Sequence, residues 1–191
     1  MEENFFYNDL KNVLDYIRMA EPYDGKILID KLENFLPDGS SVLELGMGPG
    51  KDMNILSKRY NVTGSDLSGK FIDLYLERNP GAEVLVLDAV TIEISKKFNC
   101  IFSNKTLHHL SREDLSKSLI RQHSLLTPRG YIIHSFWEGD REEVLSGLRF
   151  VYYRKKKLES IFAEKFKIIN SVIYSEVFPD DSILILAQKR E

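Results

Sequence analysis

The chain has 191 residues, of which 43% are apolar, which is enough to bury one sizeable core in a single domain. Its formal net charge is -3 and its pI is about 5.9, so composition gives no electrostatic reason to expect nucleic acid or an anionic membrane as a partner. The single cysteine, Cys100, excludes an intramolecular disulfide and a cysteine-based zinc cluster.

The N-terminal region predicts two amphipathic helices. Apolar residues recur there at helical spacing in two sets, Leu10, Val13, Leu14 and Ile17, then Leu28, Leu32, Phe35 and Leu36. The stretch MEENFFYNDLKNVLDYIRMAEP begins acidic and has no long apolar run, so it fits neither a signal peptide nor a transmembrane helix. We therefore expect a cytoplasmic protein that does not contact a membrane.

After the break at PDGS, strand-like and helix-like segments alternate. Strands are predicted at SVLEL, YNVTGSD, AEVLVLD, NCIFSN and YIIHSFW, with helices between them, one of which opens on a capping box of Ser111 and Asp114. Residues 141–165 are predicted to be mainly helical, and KIINSVIYSEV and SILILAQK to be two last strands joined by the turn FPDD. This pattern predicts an α/β fold with one doubly wound, Rossmann-like seven-stranded sheet, mostly parallel with one antiparallel strand near the C-terminus.

The stretch VLELGMGPG, residues 42–50, ends the first predicted strand in a glycine-rich loop. Gly46, Gly48 and Gly50 let the backbone turn tightly and approach a ligand, at the strand end where open α/β sheets bind ligands. Asp66 ends the second predicted strand, where a carboxylate can accept hydrogen bonds from both hydroxyls of a ribose. The sequence therefore predicts a nucleoside-type ligand.

Glu44 and Lys51 discriminate between nucleotide ligands. The glycine spacing is G-x-G-x-G, and Lys51 stands where a dinucleotide fingerprint needs its third glycine. The Glu44 carboxylate would repel a pyrophosphate and suits a cationic ligand better.

At this point a family resemblance becomes specific. VLELGMGPG resembles the E-x-G-x-G-x-G signature of class I S-adenosylmethionine-dependent methyltransferases, and VTGSDLS, VLVLDA and IFSNKTLHHLS are similar to later motifs of that family in the same order. The similarity covers roughly residues 30–190. It implies S-adenosylmethionine as cofactor and methyl transfer, by in-line displacement, to a small-molecule acceptor.

The resemblance also implies which residues contact the methionine part of the cofactor. Glu44 would lie near its amino group, and the loop of Gly46, Met47, Gly48 and Gly50 would lie beneath it. Met47 is bulkier than the residue usual in this family and would narrow the loop.

Further residues are implied at the ends of the next strands. Asp66 would hold the ribose and Leu67 would pack on the adenine, while Asp88, beside Ala89, would accept a hydrogen bond from the adenine amino group. Asn104 would face the reacting centre. Each has a structural alternative, since Asp66 can cap a helix and Asp88 can stabilise a turn. Arg129 departs from the family pattern in replacing a glycine before the fifth strand, and we interpret it as a turn variant.

Candidate acceptor contacts come from three regions. Phe5, Phe6, Tyr7 and Tyr23 are candidates for a lid over the cleft, although the two Phe can equally pack a helix on the sheet edge. His108 and His109 lack metal-ligand spacing, so no metal is predicted, and we expect one to be structural and the other to face the cleft. Either histidine, or Tyr7, is a candidate for proton transfer, and no catalytic residue is assigned. Trp137 belongs either to the core or to the pocket wall, and the wall is preferred.

We interpret residues 1–191 as one methyltransferase domain in which residues 1–36 form an N-terminal helical lid or substrate-binding segment. Two other functions remain open, a nucleotide-dependent oxidoreductase and a catalytically silent S-adenosylmethionine-binding interaction module. The basic run RKKK at 154–157 is interpreted as a solvated helix face, so nucleic acid is not expected as a partner. The sequence gives no signal for an oligomeric state.

Overall fold

Two helices precede the sheet, as the apolar spacing predicts. The computed structural model describes residues 6–145 and 147–190, so Phe5 lies outside the described residues. A 3-10 turn, Phe6–Asn8, leads into α1, Leu10–Ala20, whose N-cap Asp9 accepts a hydrogen bond from the backbone N–H of Lys11. Helix α2, Lys26–Leu32, buries Leu28, Ile29 and Leu32 against the sheet.

Seven strands form one sheet: β1 (Ser41–Leu45), β2 (Asn61–Asp66), β3 (Val84–Val86), β4 (Phe98–Ser103), β5 (Leu126–Trp137), β8 (Phe166–Tyr174) and β9 (Ser182–Lys189). Their order is β3-β2-β1-β4-β5-β9-β8. Strand β9 is antiparallel to both of its neighbours and the other pairings are parallel. The short connection from β8 to β9 allows only an antiparallel pair, whereas the helical crossovers allow parallel ones. The predicted fold class is confirmed.

Helices cover both faces of the sheet: α3 (Lys51–Leu56), α4 (Gly69–Arg78), α5 (Arg112–Leu125) and α6 (Lys155–Ala163). Alternate residues of β1 enter opposite cores, Leu43 and Leu45 on one face and Val42 on the other. The predicted capping box of α5 is present, since the Ser111 hydroxyl accepts from the Asp114 N–H at 3.1 Å. Among the described residues, no helix is both long and apolar enough to cross a membrane.

The prediction of a mainly helical segment at 141–165 is wrong over its first half. Strands β6 (Glu142–Leu145) and β7 (Leu148–Val151) form an antiparallel hairpin, and only α6 is helical. Gly147 adopts a φ of 81° in the turn, a conformation that favours glycine and interrupts a helix. Because β7 packs its Phe150 ring on the His108 and His109 rings, tertiary contact overrides the local helical composition.

Candidate functional site

A cavity of about 710 Å³ lies at the carboxyl ends of β1, β4 and β5. Its walls come from the glycine loop after β1, the segment after β4, the end of β5, helix α1 and the β6–β7 hairpin. Because β4 lies between β1 and β5 in the sheet, the glycine loop and the end of β5 border opposite sides of the cavity. The cavity therefore has a glycine-loop end and an aromatic end, which is formed by Trp137, Leu145, Leu148, Phe150 and His108.

The glycine loop uses its three glycines in two ways. A Cβ on Gly46 would come within 2.2 Å of Thr106, and one on Gly50 within 2.3 Å of Tyr75, so these two glycines allow the chain itself to pack. Gly48 has a φ of 49°, and its nearest neighbour would be the Tyr16 ring at 3.6 Å. Gly48 lines the cavity together with Gly46 and Met47, whereas Gly50 does not.

Glu44 brings a carboxylate to this end of the cavity. The residue is 2% exposed, and its Oε2 atom has no hydrogen-bond partner among the described residues. Burial raises the Glu44 pKa well above its ordinary value, and the charges of Asp52 and Asp66 raise it further. A buried carboxylate without a partner is unfavourable, so the site fits a ligand that carries a positive group, such as the amino group of the cofactor implied by the sequence.

Asp52 is a second buried carboxylate here, and sequence reasoning missed it. It accepts hydrogen bonds from the Gly25 N–H at 2.6 Å and from Asn104 Nδ2 at 3.0 Å. Burial raises its pKa, and these two hydrogen bonds oppose the rise. Asn104 in turn accepts a hydrogen bond from the Ser135 hydroxyl at 2.5 Å. The side chain of Asn104 is therefore held between α3 and β5 where it lines the cavity.

Asp66 joins the glycine loop to the start of α4. Its carboxylate accepts hydrogen bonds from the N–H groups of Gly48 and Ser68, both at 2.9 Å. Burial raises its pKa, and backbone hydrogen bonds from Ser68, Gly48 and Leu67 act in the opposite direction. Asp66 is not itself the helix cap, because the N-cap residue of α4 is Ser68 and Asp66 bonds the N–H of that residue; the remaining oxygen lone pairs of Asp66 leave the ribose role open.

Some predicted cofactor residues are not part of the cavity wall: Gly50, Asp66, Leu67, Asp88 and Ala89. Leu67 is 47% exposed, and the exposed Asp88 accepts a hydrogen bond from the Val90 N–H at 2.6 Å. Asp66 and Leu67 lie at the end of β2, and Asp88 and Ala89 follow β3. These two strands lie beyond β1 along the same sheet edge. The predicted cofactor residues therefore share one edge of the sheet, divided between the cavity and a more exposed region beside it.

The two adjacent histidines occupy different environments. His108 is 2% exposed, stacks on the Phe150 ring at 5.4 Å, and has no hydrogen-bond partner on either ring nitrogen among the described residues. Burial lowers its pKa well below the ordinary value, and the nearby His109 and Lys105 lower it further. His109 instead places Nδ1 at 2.7 Å from the Arg149 carbonyl oxygen, which ties it to the hairpin. Both rings line the cavity.

Lys105 is a further cavity residue that the sequence did not single out. Its ammonium lies 3.2 Å from the centroid of the Trp137 ring, 2.7 Å from Glu176 Oε2 and 2.6 Å from the Ser182 hydroxyl. Burial lowers the Lys105 pKa, and Glu176 opposes that effect. Its three ammonium donors thus all have partners, and Trp137 is fixed at the cavity wall as preferred from the sequence.

The N-terminal aromatic residues also border the cavity. Tyr7 packs against Tyr16 and Phe71, with ring centroids 5.3 and 5.4 Å apart, and its carbonyl accepts a hydrogen bond from the Ser68 hydroxyl. Burial raises the Tyr7 pKa far above its ordinary value, so its phenol is protonated near neutral pH and is not a ready base. Tyr23 and Phe6 also line the cavity.

Among residues 6–145 and 147–190, no group of three or more His, Cys, Asp or Glu side chains is arranged to hold a metal ion.

Sequence comparison finds a methyltransferase signal in this region. A family model described as a methyltransferase domain matches residues 42–130, which contain the glycine loop, Asp66, Asp88 and the histidine pair. An uncharacterized methyltransferase of Oceanobacillus iheyensis is 27% identical over 120 residues. That match covers 62% of this chain and 54% of the relative, so the chain spans about half the length of the curated relative that it matches.

Solved structures share the fold over nearly the whole chain. An S-adenosylmethionine-dependent methyltransferase from Clostridium acetobutylicum has a TM-score of 0.77 at 16% identity, covering 95% of this chain and 98% of that one. A 1,6-didemethyltoxoflavin-N1-methyltransferase from Burkholderia thailandensis has a TM-score of 0.75 at 20% identity, covering 94% and 88%. At such identities the likeness shows the fold.

Proposed function

We propose that this chain is a class I S-adenosylmethionine-dependent methyltransferase and that it transfers the methyl group of that cofactor to a small-molecule acceptor. Several solved structures of the same fold hold S-adenosylhomocysteine or S-adenosylmethionine, which supports the cofactor. The Burkholderia enzyme also holds 1,6-didemethyltoxoflavin, which supports a small molecule as acceptor.

The observation that carries this proposal is the pairing of the glycine loop with Glu44. The loop brings bare backbone to the cavity at Gly48, and Glu44 adds a buried carboxylate whose Oε2 atom has no partner in the described structure. A cationic amino acid moiety satisfies that carboxylate, whereas a pyrophosphate would be repelled by it. We assign Glu44, Gly46, Met47, Gly48 and Asn104 to the methionine end of the cofactor.

The adenosine end is assigned to the more exposed part of the same sheet edge. Asp66 would hold the ribose, Leu67 would pack on the adenine and Asp88, beside Ala89, would accept a hydrogen bond from its amino group. Gly50 would support this site indirectly. It is the N-cap residue of α3, and its lack of a Cβ leaves room for the Tyr75 ring beside the loop. The sheet order supports the assignment, since β1, β2 and β3 are consecutive neighbours.

When bound, the cofactor supplies a methyl group already activated on a sulfonium centre, so the chain mainly has to align the acceptor with it. Asn104 is held by Asp52 and Ser135 at the end of β4, between the two ends of the cavity. The apolar walls at the aromatic end exclude water. Positioning of this kind can lower the activation barrier by up to roughly 7–11 kcal/mol. It requires the acceptor atom, the methyl group and the sulfur to lie in one line.

We further propose that residues 1–36 form the lid of a single domain. Helix α1 contributes Tyr16 and Met19 to the cavity, and the Tyr7 carbonyl is bonded to Ser68 at the start of α4. The Lys51 ammonium reaches the Glu21 carbonyl at 2.5 Å, which links the lid to the helix behind the glycine loop. A cytoplasmic location and the absence of a nucleic-acid partner stay predictions from composition.

A transfer assay tests the proposed function. The purified protein is incubated with methyl-labelled S-adenosylmethionine and pools of metabolites, and label is followed into the small-molecule fraction. We expect transfer that requires the protein and is abolished by excess S-adenosylhomocysteine. Binding of the cofactor without transfer to any pool would favour the silent interaction module, and oxidation or reduction of a substrate with NAD would favour the oxidoreductase.

A further inference from the structure

The aromatic end of the cavity is the place where an acceptor would lie. It faces the glycine loop across the end of β4, and Trp137, Leu145, Leu148 and Phe150 give it an apolar surface. A ligand part that enters this end is removed from water by these side chains, which favours apolar groups.

His108 is the exception in this apolar surface. Its ring is 2% exposed, lines the cavity, and leaves both nitrogens without a hydrogen-bond partner among the described residues. Buried polar groups in native proteins are nearly always hydrogen-bonded, and an unmade bond is unfavourable. Both nitrogens are buried without a ligand, so a small shift of the ring or of a neighbouring side chain would bring one of them to a polar group of the ligand and remove that penalty.

His109 does not share this property. Its Nδ1 atom is engaged with the Arg149 carbonyl, and its ring meets the Phe150 ring edge-on at 4.7 Å. It therefore holds the hairpin in place, and the hairpin in turn presents Phe150 to the His108 ring. His109 therefore positions the hairpin wall of the cavity, whereas His108 lines the cavity with both ring nitrogens unpartnered among the described residues.

The charged groups of the aromatic end are already paired. The Lys105 ammonium is bonded to Glu176 and Ser182 and lies on the Trp137 ring, so an anionic acceptor would find no free cation there. Glu176 is likewise engaged by Lys105 and by the Tyr174 hydroxyl at 3.2 Å, so a cationic acceptor would find no free carboxylate. A charged acceptor would lose hydration without gaining a partner.

From these contacts we infer that the methyl acceptor is an uncharged, mainly apolar molecule, and that its polar group hydrogen-bonds the His108 ring. The inference rests on the proposed function, because it places the acceptor opposite the cofactor. It makes His108 a determinant of specificity and His109 a positioning residue.

The protonation state of His108 agrees with this role. Burial holds its pKa well below the ordinary value, with His109 and Lys105 as the charged or titratable neighbours that add to the effect. The ring is therefore neutral near pH 7, with one nitrogen as donor and the other as acceptor. The ring can accept a hydrogen bond from a hydroxyl, thiol or N–H group of the acceptor, but its low pKa makes it a weak general base.

Nuclear magnetic resonance of the imidazole nitrogens tests the inference directly. The chain has four histidines, so protein labelled with nitrogen-15 in the imidazole rings gives a simple long-range proton–nitrogen spectrum, assigned with His108→Phe and His109→Phe. The protein is first saturated with S-adenosylhomocysteine, and calorimetry verifies that it is bound. Four ring compounds of similar size are then titrated: phenol, toluene, benzoate and benzylamine.

We expect phenol to shift a His108 nitrogen resonance, and toluene to bind without shifting it. In His108→Phe, phenol affinity should fall at least fivefold while toluene affinity changes less than twofold, which separates a lost hydrogen bond from altered packing. Benzoate and benzylamine should bind at least fivefold more weakly than phenol.

Three results would overturn the inference: equal losses of phenol and toluene affinity in His108→Phe, benzoate or benzylamine binding as tightly as phenol, or no perturbation of His108 by phenol at its solubility limit. If S-adenosylhomocysteine itself fails to bind, the proposed function fails instead, and calorimetry detects this before any ring compound is added.

Discussion

At the scale of single residues, Glu44 combines a structural penalty with a proposed ligand contact. Its carboxylate is buried beside Asp52 and Asp66, and all three groups have raised pKa values because burial disfavours their charge. Asp52 and Asp66 both accept hydrogen bonds from the protein, whereas Glu44 Oε2 has no donor in the described structure. Glu44 therefore gains most from a cationic ligand.

Glu44→Gln should separate binding from stability. Gln keeps the shape and removes the charge, so the affinity for S-adenosylhomocysteine should fall at least tenfold, as expected when a charge-assisted bond of about 1.5–3 kcal/mol is lost. The free protein should melt about 2–4 °C higher for each kcal/mol of relieved burial energy. Calorimetry and thermal melting measure the two effects. Unchanged affinity would remove Glu44 from the site.

The stability difference between the two proteins should depend on pH. The folded-state pKa of Glu44 is raised, so the folded protein holds the Glu44 proton more tightly than the unfolded chain does. Below the unfolded pKa, Glu44 is protonated in both states, so the stability difference between the wild type and Glu44→Gln should not change with pH. As pH rises towards the folded pKa, the wild type should lose stability relative to the variant, and melting curves from about pH 4 to about pH 8 should record this. A constant difference would contradict the raised pKa.

Gly48→Val tests whether backbone approaches the cofactor at this loop. A branched side chain at a φ of 49° is strained and would project towards Tyr16 in the cavity. Gly39→Val is the matched control, because Gly39 has a φ of 77° and open space around it, away from the cavity. Both variants should lose about 1–2 kcal/mol of stability, and only Gly48→Val should lose cofactor binding. Equal binding by the two would make this loop only a turn.

Sequence alone could predict some of these residues and not others. Glu44 and the glycines stand in one short stretch whose spacing carries the information. Asp52 was missed because its partners, Gly25 and Asn104, are distant in the chain, and Lys105 was missed because Glu176 and Ser182 are more distant still. Such contacts exist only after the sheet brings the strand ends together.

At the scale of elements, most strands and helices follow from local patterns, and the β6–β7 hairpin does not. The segment REEVLSGLRFV has a composition that suits a helix, but Gly147 and the contacts of Phe150 with the histidine pair favour two strands. The short run at β3 was placed correctly because a turn and a helix bound it. Sequence patterns therefore predict an element whose own residues determine its structure. They fail for an element whose structure depends on contacts with residues distant in the chain.

Strand β5 carries a local strain that can be measured. Arg129 is exposed and adopts a φ of 60°, which is unfavourable for a residue with a Cβ. Arg129→Gly should raise the free energy of unfolding by about 0.5–1 kcal/mol, since the relieved strain exceeds the added chain entropy of glycine. Arg129→Ala is the control because it removes the side chain and keeps the strain. Denaturant unfolding that shows equal gains for both would refute the strain argument.

At the scale of the whole molecule, the sheet order organises the function. The ends of β3, β2 and β1 place the proposed adenosine and methionine contacts side by side along one edge of the sheet. The ends of β4 and β5 continue that edge to the aromatic end of the cavity. The alternation of strands and helices was sufficient to predict this layout, since parallel connections and strand-end sites follow general rules. Helix α1 and the β6–β7 hairpin also line the cavity, and neither placement follows from those rules.

The central claim is that this edge binds S-adenosylmethionine and not a dinucleotide. Titration calorimetry of the purified protein with S-adenosylhomocysteine, with NAD, and again with S-adenosylhomocysteine on Gly48→Val tests it most directly. We expect one site per chain for S-adenosylhomocysteine, no measurable heat with NAD, and loss of binding in the variant. Saturable binding of NAD, or S-adenosylhomocysteine binding that is unaffected by Gly48→Val, would contradict it.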